Sequence, residues 1–344
     1  MTLPDKFPCF MVRRENPSAP SPDSASPPTH AGVESIALDE LPPGDVVIDN
    51  VCSSLNYKDA LASVGNRGVA PNLPHIPGID CAGTVVLSET ADVPLGTRVL
   101  VTGYDLGSPR WGGYCRYVRV PHEWVVPLPD DVSFEEAMTY GTAGFTAAQC
   151  VDSLLRHGIE PSRGEVAVTG STGGVGSLSV ALLAKLGFQV VAITGKQSAT
   201  EQLLRLGACR VAGREEVLDE SSRPLLASKW SGAVDTVGGT ILATLVRQLG
   251  HRGCVAACGL TAGEQLPLTV FPFLLRGVTL DGIDSAKCPP SPRREMWRRL
   301  FGEWRLDRNR LAVRECTLAT LSEEIDAMLA GRGEGRVLVR PVAR

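Results

Sequence analysis

Nowhere does the sequence reach the about 18 uninterrupted apolar residues that a membrane-spanning helix needs. The opening MTLPDKFPCFMVRR also lacks the apolar run behind a basic start that marks a secretory signal. No membrane partner is expected, and the chain reads as a cytoplasmic protein. Aromatic residues are scarce at 5 %, and neither sign of charge dominates: 34 Lys and Arg against 38 Asp and Glu leave a formal charge of −4, with the signs interspersed. Nucleic-acid binding requires a basic stripe carrying aromatics, so no such partner is expected. Paired metal ligands are missing too. The five histidines (His30, His75, His122, His157 and His251) show none of the short spacings of a zinc site, and the one close cysteine pair, Cys254 and Cys258, lies in an apolar run. The ten cysteines lie singly, most of them among apolar neighbours, which suits reduced thiols packed as small hydrophobes. No metal is expected.

Apolar material, by contrast, is ample. A chain of 344 residues, 43 % hydrophobic, exceeds the roughly 250–300 residues at which one core stops growing, so two domains are expected. Residues 7–13 (FPCFMVR) and 32–38 (GVESIAL) read as a hairpin. The Pro- and Ser-rich stretch between them, from Asn16 to His30, cannot bury surface and reads as a mobile loop with no assigned function. From Asp45 come short runs broken by Pro and Gly (DVVIDNVCSS, CAGTVVLS, TRVLVTG, CRYVRVP, EWVVPL), the pattern of a small β barrel or sandwich. Ser133 and Glu136 form a capping box, so a helix is expected to begin there. Beyond it, the strands GEVAVT, FQVVAIT, CRVAG, GAVDTVG, GCVAACG and VTLDGID alternate with helical stretches near 177–186, 199–206 and 240–249. Apolar strands alternating with helices describe a doubly wound parallel sheet of the Rossmann type. The tail, CTLATL, a helix around Glu323 to Leu329 and RVLVRPV, is too short to stand alone. The expected organisation is a β domain over 1–140, completed by 305–344, and a dinucleotide-binding domain over 141–304.

The run EVAVTGSTGGVG (165–176) ends the first of these strands with Gly170, Gly173, Gly174 and Gly176 and opens a helix. Its Gly-x-x-Gly-Gly-x-Gly spacing departs from the usual Gly-x-Gly-x-x-Gly, yet the strand–turn–helix setting is that of a phosphate cradle. A structural turn is the alternative. At the end of the next strand, NAD-binding proteins present an Asp or Glu to the ribose 2′-hydroxyl. This chain has Thr194-Gly195-Lys196 there: no carboxylate to repel a 2′-phosphate, a hydroxyl to bond it and an ammonium to neutralise it. The reading is NADPH, with Arg214 as a second cation; the alternative leaves Lys196 as a solvated charge.

Seven ordered runs, SSLNYKDALA (53–62), HIPGIDCAGTV (75–85), WGGYCRYVRV (111–120), GTAGFTA (141–147), VTGSTGGVGS (169–177), DTVGG (235–239) and VAACGL (255–260), together resemble the zinc-independent medium-chain dehydrogenase/reductases, in particular their acryloyl-CoA reductase branch, along essentially the whole chain. The resemblance implies an α/β protein with a GroES-like β-barrel domain and a Rossmann domain, NADPH as cofactor, and reduction of the activated double bond of acryloyl-CoA or a similar enoyl thioester. Where zinc-dependent relatives carry Gly-His-Glu, this sequence has Gly78-Ile79-Asp80. Carried over by motif, Tyr57 stands beside the nicotinamide and Thr142 contacts the cofactor. Thr172, Gly173, Gly174 and Val175 hold the pyrophosphate, while Thr194, Gly195, Lys196 and Arg214 hold the 2′-phosphate. Leu260, Leu274, Ser285 and the turn near Gly331 line the nicotinamide side. Lys196 replaces the arginine usual in the branch, which keeps charge but loses the bidentate fork.

As catalytic candidates, Tyr57 is the best donor in its run; its phenol can orient substrate or pass a proton to the α-carbon, or it can be a packing residue. Asp80 is either a buried structural acid or part of the site. Asn56, Lys58 and Asp59 read as a local turn and salt-bridge cluster. Competing readings are an NADPH:quinone or alkenal reductase and, outside enzymes, a nucleotide-binding redox sensor or RNA-binding protein, the latter disfavoured by the acidic charge. A homodimer is implied by the resemblance, with VTLDGID strands as a pairing edge.

Overall fold

The computed structural model describes residues 3–15 and 28–342. Most of the Pro- and Ser-rich stretch, 16–27, lies outside the described residues. The chain divides into two compact units, one of Met1–Thr142, Ala286–Arg294 and Ala312–Arg344, the other of Ala143–Ser285 and Glu295–Leu311.

In the first unit, β1 (Phe7–Arg14) and β2 (Thr29–Ile36) form the expected antiparallel hairpin. β3 (Val46–Ser54), β4 (Asp80–Ser88), β5 (Arg98–Thr102), β6 (Tyr117–Val120) and β7 (Val126–Pro127) build the main sheet, joined by β14 (Val313–Thr317) and β15 (Arg336–Arg340) in the order β14-β15-β3-β4-β5-β7, with β6 also on β3. Leu338 and Val339 of β15 pair antiparallel with Ser54 and Ser53, so the tail is built into this sheet. Phe7, Phe10, Met11 and Val12 of β1 enter one core with Tyr114, Tyr117, Val337 and Val339. Leu321 and Ile325 of α8 (Leu321–Leu329) join Ala60 of α1 (Tyr57–Ser63) in that core.

The second unit is a six-stranded sheet, β10-β9-β8-β11-β12-β13, with every neighbouring pair parallel. Its strands are β8 (Val166–Val168), β9 (Val190–Ile193), β10 (Arg210–Ala212), β11 (Trp230–Asp235), β12 (Leu249–Ala257) and β13 (Thr279–Gly282). The helices α3 (Gly174–Lys185), α4 (Thr200–Arg205) and α5 (Gly239–Gln248) lie within a few residues of their expected bounds. Val166, Ala167, Val168, Val190, Val191 and Ala192 are fully buried, as strands covered on both faces must be. Three helices were not anticipated: α1, α6 (Phe271–Arg276) and α7 (Pro290–Phe301), the last beginning in the first unit and ending in the second. The Ser133 cap is present, its Oγ accepting from Glu136 N at 3.1 Å. The helix it starts, α2 (Phe134–Arg156), runs on through a non-helical residue at Gly141. Among the described residues no helix is long and apolar enough to cross a membrane.

Candidate active site

The glycine-rich turn is shaped by close backbone approach. Gly170 has φ +58°, a left-handed value that favours glycine, and a Cβ there would meet Thr236 Oγ1. A Cβ on Gly176 would lie 2.8 Å from the Gly170 carbonyl carbon and 2.9 Å from Ser171 Cα, so the first turn of α3 can sit against the strand exit only as glycine. Gly173, by contrast, faces open space: a Cβ would touch only Gly170 O, at 3.4 Å. Thr172, Gly174 and Val175 are half-buried around it. The leading amides of the 12-residue α3 have no partners within the helix, which suits an anion.

Strand order reverses between β8 and β11, the position where open α/β sheets bind ligands at the carboxyl ends of their strands. Buried Asp235 fastens that junction, accepting from Thr169 Oγ1 at 2.6 Å and Gly238 N at 2.7 Å, while Thr236 Oγ1 donates to Thr169 O at 3.0 Å. Burial pushes the Asp235 carboxyl upward in pKa. At Gly238, φ +77°, a Cβ would lie 3.0 Å from Leu260 Cα. The turns after β8, β11 and β12 therefore converge and bring Leu260, 68 % exposed, beside them. At the exits of β9 and β10, Thr194 Oγ1 accepts from Lys196 N at 3.0 Å, and a Cβ on Gly195 would lie only 3.0 Å from Arg214 Nε. Arg214 thus lies across the backbone of Gly195, the residue between Thr194 and Lys196. Both groups of turns fit a dinucleotide carrying a 2′-phosphate.

The first unit contributes a buried polar network. Asn56 and Asp59 cap α1: Asn56 N donates to Asp59 Oδ2 at 2.9 Å. Asp59, fully buried, also accepts from Gly78 N (3.1 Å), Ile79 N (2.8 Å) and the Tyr114 hydroxyl (3.1 Å). Burial and the neighbouring Asp80 carboxylate push its pKa up to about 7, against those donors. The expected turn cluster is therefore real for Asn56 and Asp59, with Asp59 reaching far beyond it, whereas Lys58 is exposed. Tyr57, first residue of α1, is 47 % exposed and available to a ligand. Asp80, the first residue of β4, is fully buried. Its carboxylate accepts from Ser54 Oγ (2.5 Å), Asn56 Nδ2 (2.8 Å), Thr142 N (3.0 Å) and Thr142 Oγ1 (2.5 Å), so it acts through those groups.

Comparison with known proteins gives the family. Residues 42–130 match the alcohol dehydrogenase GroES-like domain and 174–302 the zinc-binding dehydrogenase domain. The chain is 46 % identical over 312 residues, 91 % of its length and 96 % of the relative's, to the probable acrylyl-CoA reductase AcuI of Escherichia coli. The chain belongs to the medium-chain dehydrogenase/reductase family. The yhdH oxidoreductase of Salmonella enterica, solved in complex with NADP, superposes with a TM-score of 0.90 at 44 % identity, covering 97 % of this chain and 99 % of that one. The Bacillus subtilis protein yhfP, named as a quinone oxidoreductase, is 44 % identical over 90 % of this chain and 94 % of its own. Its structure with NAD bound superposes at a TM-score of 0.91, covering 97 % of this chain and 99 % of that one.

Many medium-chain dehydrogenase/reductases hold zinc, but the residues here do not fit it. Among the described residues no three His, Cys, Asp or Glu side chains gather as a ligand set. Asp80 already has its carboxylate surrounded by hydroxyl and amide donors. The remaining motif-derived positions lie on separate elements. Leu274 is 76 % exposed on α6, Ser285 follows β13 and accepts from Thr146 Oγ1 at 2.8 Å, and Gly331 has φ +69° just after α8. Sequence reasoning gave no role to Ser54, Tyr114 or Arg336, whose partners lie far away in sequence.

Proposed function

We propose that this chain is an NADPH-dependent reductase of the activated carbon–carbon double bond of acryloyl-CoA or a similar enoyl thioester. The observation that carries the cofactor half is Arg214 lying over Gly195 beside Lys196, with Thr194 where an NAD-type carboxylate would stand. The substrate half is supported by likeness to the acrylyl-CoA reductase along nearly the whole chain. NADPH, when bound, supplies the hydride. Thr172, Gly173, Gly174 and Val175 would hold its pyrophosphate, and Thr194, Gly195, Lys196 and Arg214 its 2′-phosphate. Tyr57, Thr142, Leu260, Leu274, Ser285 and Gly331 are proposed to meet the nicotinamide half. Asp80 fixes Thr142 by accepting from both its N–H and its hydroxyl, and the exposed phenol of Tyr57 donates to substrate oxygen or protonates the α-carbon.

The second reading is a quinone reductase, favoured by the name of the Bacillus subtilis relative. The test is NADPH oxidation against acryloyl-CoA and a simple benzoquinone. Turnover with the thioester well above that with the quinone is the expected result; a protein that reduces only the quinone refutes the substrate assignment.

We also infer a cytoplasmic homodimer. β13 is an outer strand of the sheet, paired among the described residues only with β12, and Val270, Phe271 and Leu275 just before it are 63, 46 and 58 % exposed. Apolar residues beside an open edge invite a second copy. Light scattering should give twice the chain mass, and a single-chain mass across the micromolar range would remove this reading.

A further inference from the structure

Arg336 opens β15, between 197 and 282 residues beyond the groups it binds. Although it is charged, only 3 % of its surface is exposed, and every branch of its guanidinium is engaged. Nε donates to Thr139 O at 2.9 Å, Nη2 to Ser54 Oγ at 2.8 Å, and Nη1 to Leu55 O and Asn56 Oδ1, both at 3.3 Å. It therefore joins the end of β3, the residue that caps α1, and the part of α2 just before Gly141. Ser54 and Asn56 hand the connection on to Asp80, and Asp80 binds Thr142 through both its N–H and its hydroxyl. Nothing in a surface ion pair resembles this arrangement, because the cation sits among two buried carboxylates and three chain segments.

We propose that Arg336 is a positioning residue of the reductase, holding Asn56, Tyr57 and Thr142 in one arrangement through Ser54 and Asp80. The proposal rests on the reductase reading above. A planar fork is needed because the acceptors lie on separate segments, and lysine presents only a point charge. The groups facing the guanidinium are Asp80, Tyr114, Asp59 and Cys52; those facing Asp59 are Asp80, Tyr114, Arg336 and the amides of residues 56, 78 and 79. A fixed positive charge there favours the ionised Asp59 carboxylate, so its removal must raise that group's proton affinity.

The test compares wild type with Arg336→Lys and Arg336→Met, each assayed with acryloyl-CoA and with a benzoquinone, alongside NADPH binding followed by its fluorescence. Arg336→Lys is expected to lower kcat by about a hundredfold, as a misplaced constellation does, with the NADPH dissociation constant unchanged. Arg336→Met is expected to move the acid limb of the kcat–pH profile to higher pH, while Arg336→Lys leaves it in place. A merely structural arginine would reduce the amount of folded protein but move neither kcat per NADPH-binding site nor the acid limb. If Arg336→Met does not fold, Arg336→Lys decides, and wild-type kcat in that variant overturns the proposal. A wild type that reduces the quinone but not the thioester sinks the substrate reading alone, since the variant ratios still report on Arg336. A wild type that reduces neither sinks both.

Discussion

Exchanging Lys196 for aspartate together with Arg214 for serine is expected to reverse the cofactor preference, from NADPH to NADH. Hydrogen bonds to charged groups contribute about 1.5–3 kcal/mol, and both cations are at least partly exposed to water, so each should fall at the low end of that range. Losing both lowers kcat/KM for NADPH by about a hundredfold, at roughly tenfold per 1.4 kcal/mol, and a carboxylate facing the 2′-phosphate lowers it further. NADH offers instead a ribose 2′-hydroxyl that the new aspartate can accept from, so its kcat/KM should hold or rise. Gly195 stays, because a Cβ there would lie 3.0 Å from Arg214 Nε in the wild type, and the loop is built around that approach. The Bacillus subtilis relative, solved with NAD bound, and the Salmonella protein, solved with NADP, share this fold at similar identity. Loop chemistry, not architecture, must then decide between the two. The measurement is kcat/KM for each cofactor with one acceptor; an unchanged ratio removes the 2′-phosphate assignment.

Much of the fold was readable because it follows local rules. The parallel sheet announced itself through strands such as VAV (166–168) and VVAI (190–193), which are apolar at every position because both faces are covered. The α2 start was readable from Ser133 and Glu136, since a cap is a contact over three residues. Its end was not: GTAGFTA carries no stop signal, and the helix resumes after Gly141 and continues to Arg156. The proposed cofactor surface was readable where sequence neighbours bond one another, as Thr194 Oγ1 and Lys196 N do. Arg214 needed only the next strand exit, because parallel strands place successive exits side by side. The network around Asp80 was illegible for the opposite reason. Antiparallel pairing of β15 with β3 and β3 with β4 brings Ser54, Asp80 and Arg336 together, Thr142 joins them from α2, and no spacing in the sequence records such a meeting. Hence Asp80 was left between a structural and a catalytic role, and Arg336 had none.

Replacing Gly141 with alanine should show how much that network matters, and a large loss is expected. Gly141 sits at φ 50°, ψ −154°, a conformation nearly reserved for glycine, so alanine there carries strain of order 1–3 kcal/mol before any contact is counted. Its Cβ would also lie 2.5 Å from Ser54 Oγ, 2.6 Å from Asp80 Oδ2 and 3.0 Å from Arg336 Nη2. None of these atoms is a free end that can swing away: Ser54 Oγ donates to Asp80 at 2.5 Å and accepts from Arg336 at 2.8 Å. Displacing one partner of a buried charge cluster costs about 3–5 kcal/mol, and at roughly 2–4 °C per kcal/mol the two effects together lower Tm by about 10 °C or more. The methyl also presses on the group that fixes Thr142, the next residue, so turnover should fall by about a hundredfold in the protein that remains folded. Gly158 supplies the control. It too has a positive φ, +71°, but a Cβ there meets nothing within 4 Å. Gly158→Ala should therefore show only the backbone strain, a few degrees in Tm, with kcat intact. If Gly141→Ala matches Gly158→Ala in both Tm and kcat, the buried network neither supports the first unit nor places its catalytic groups.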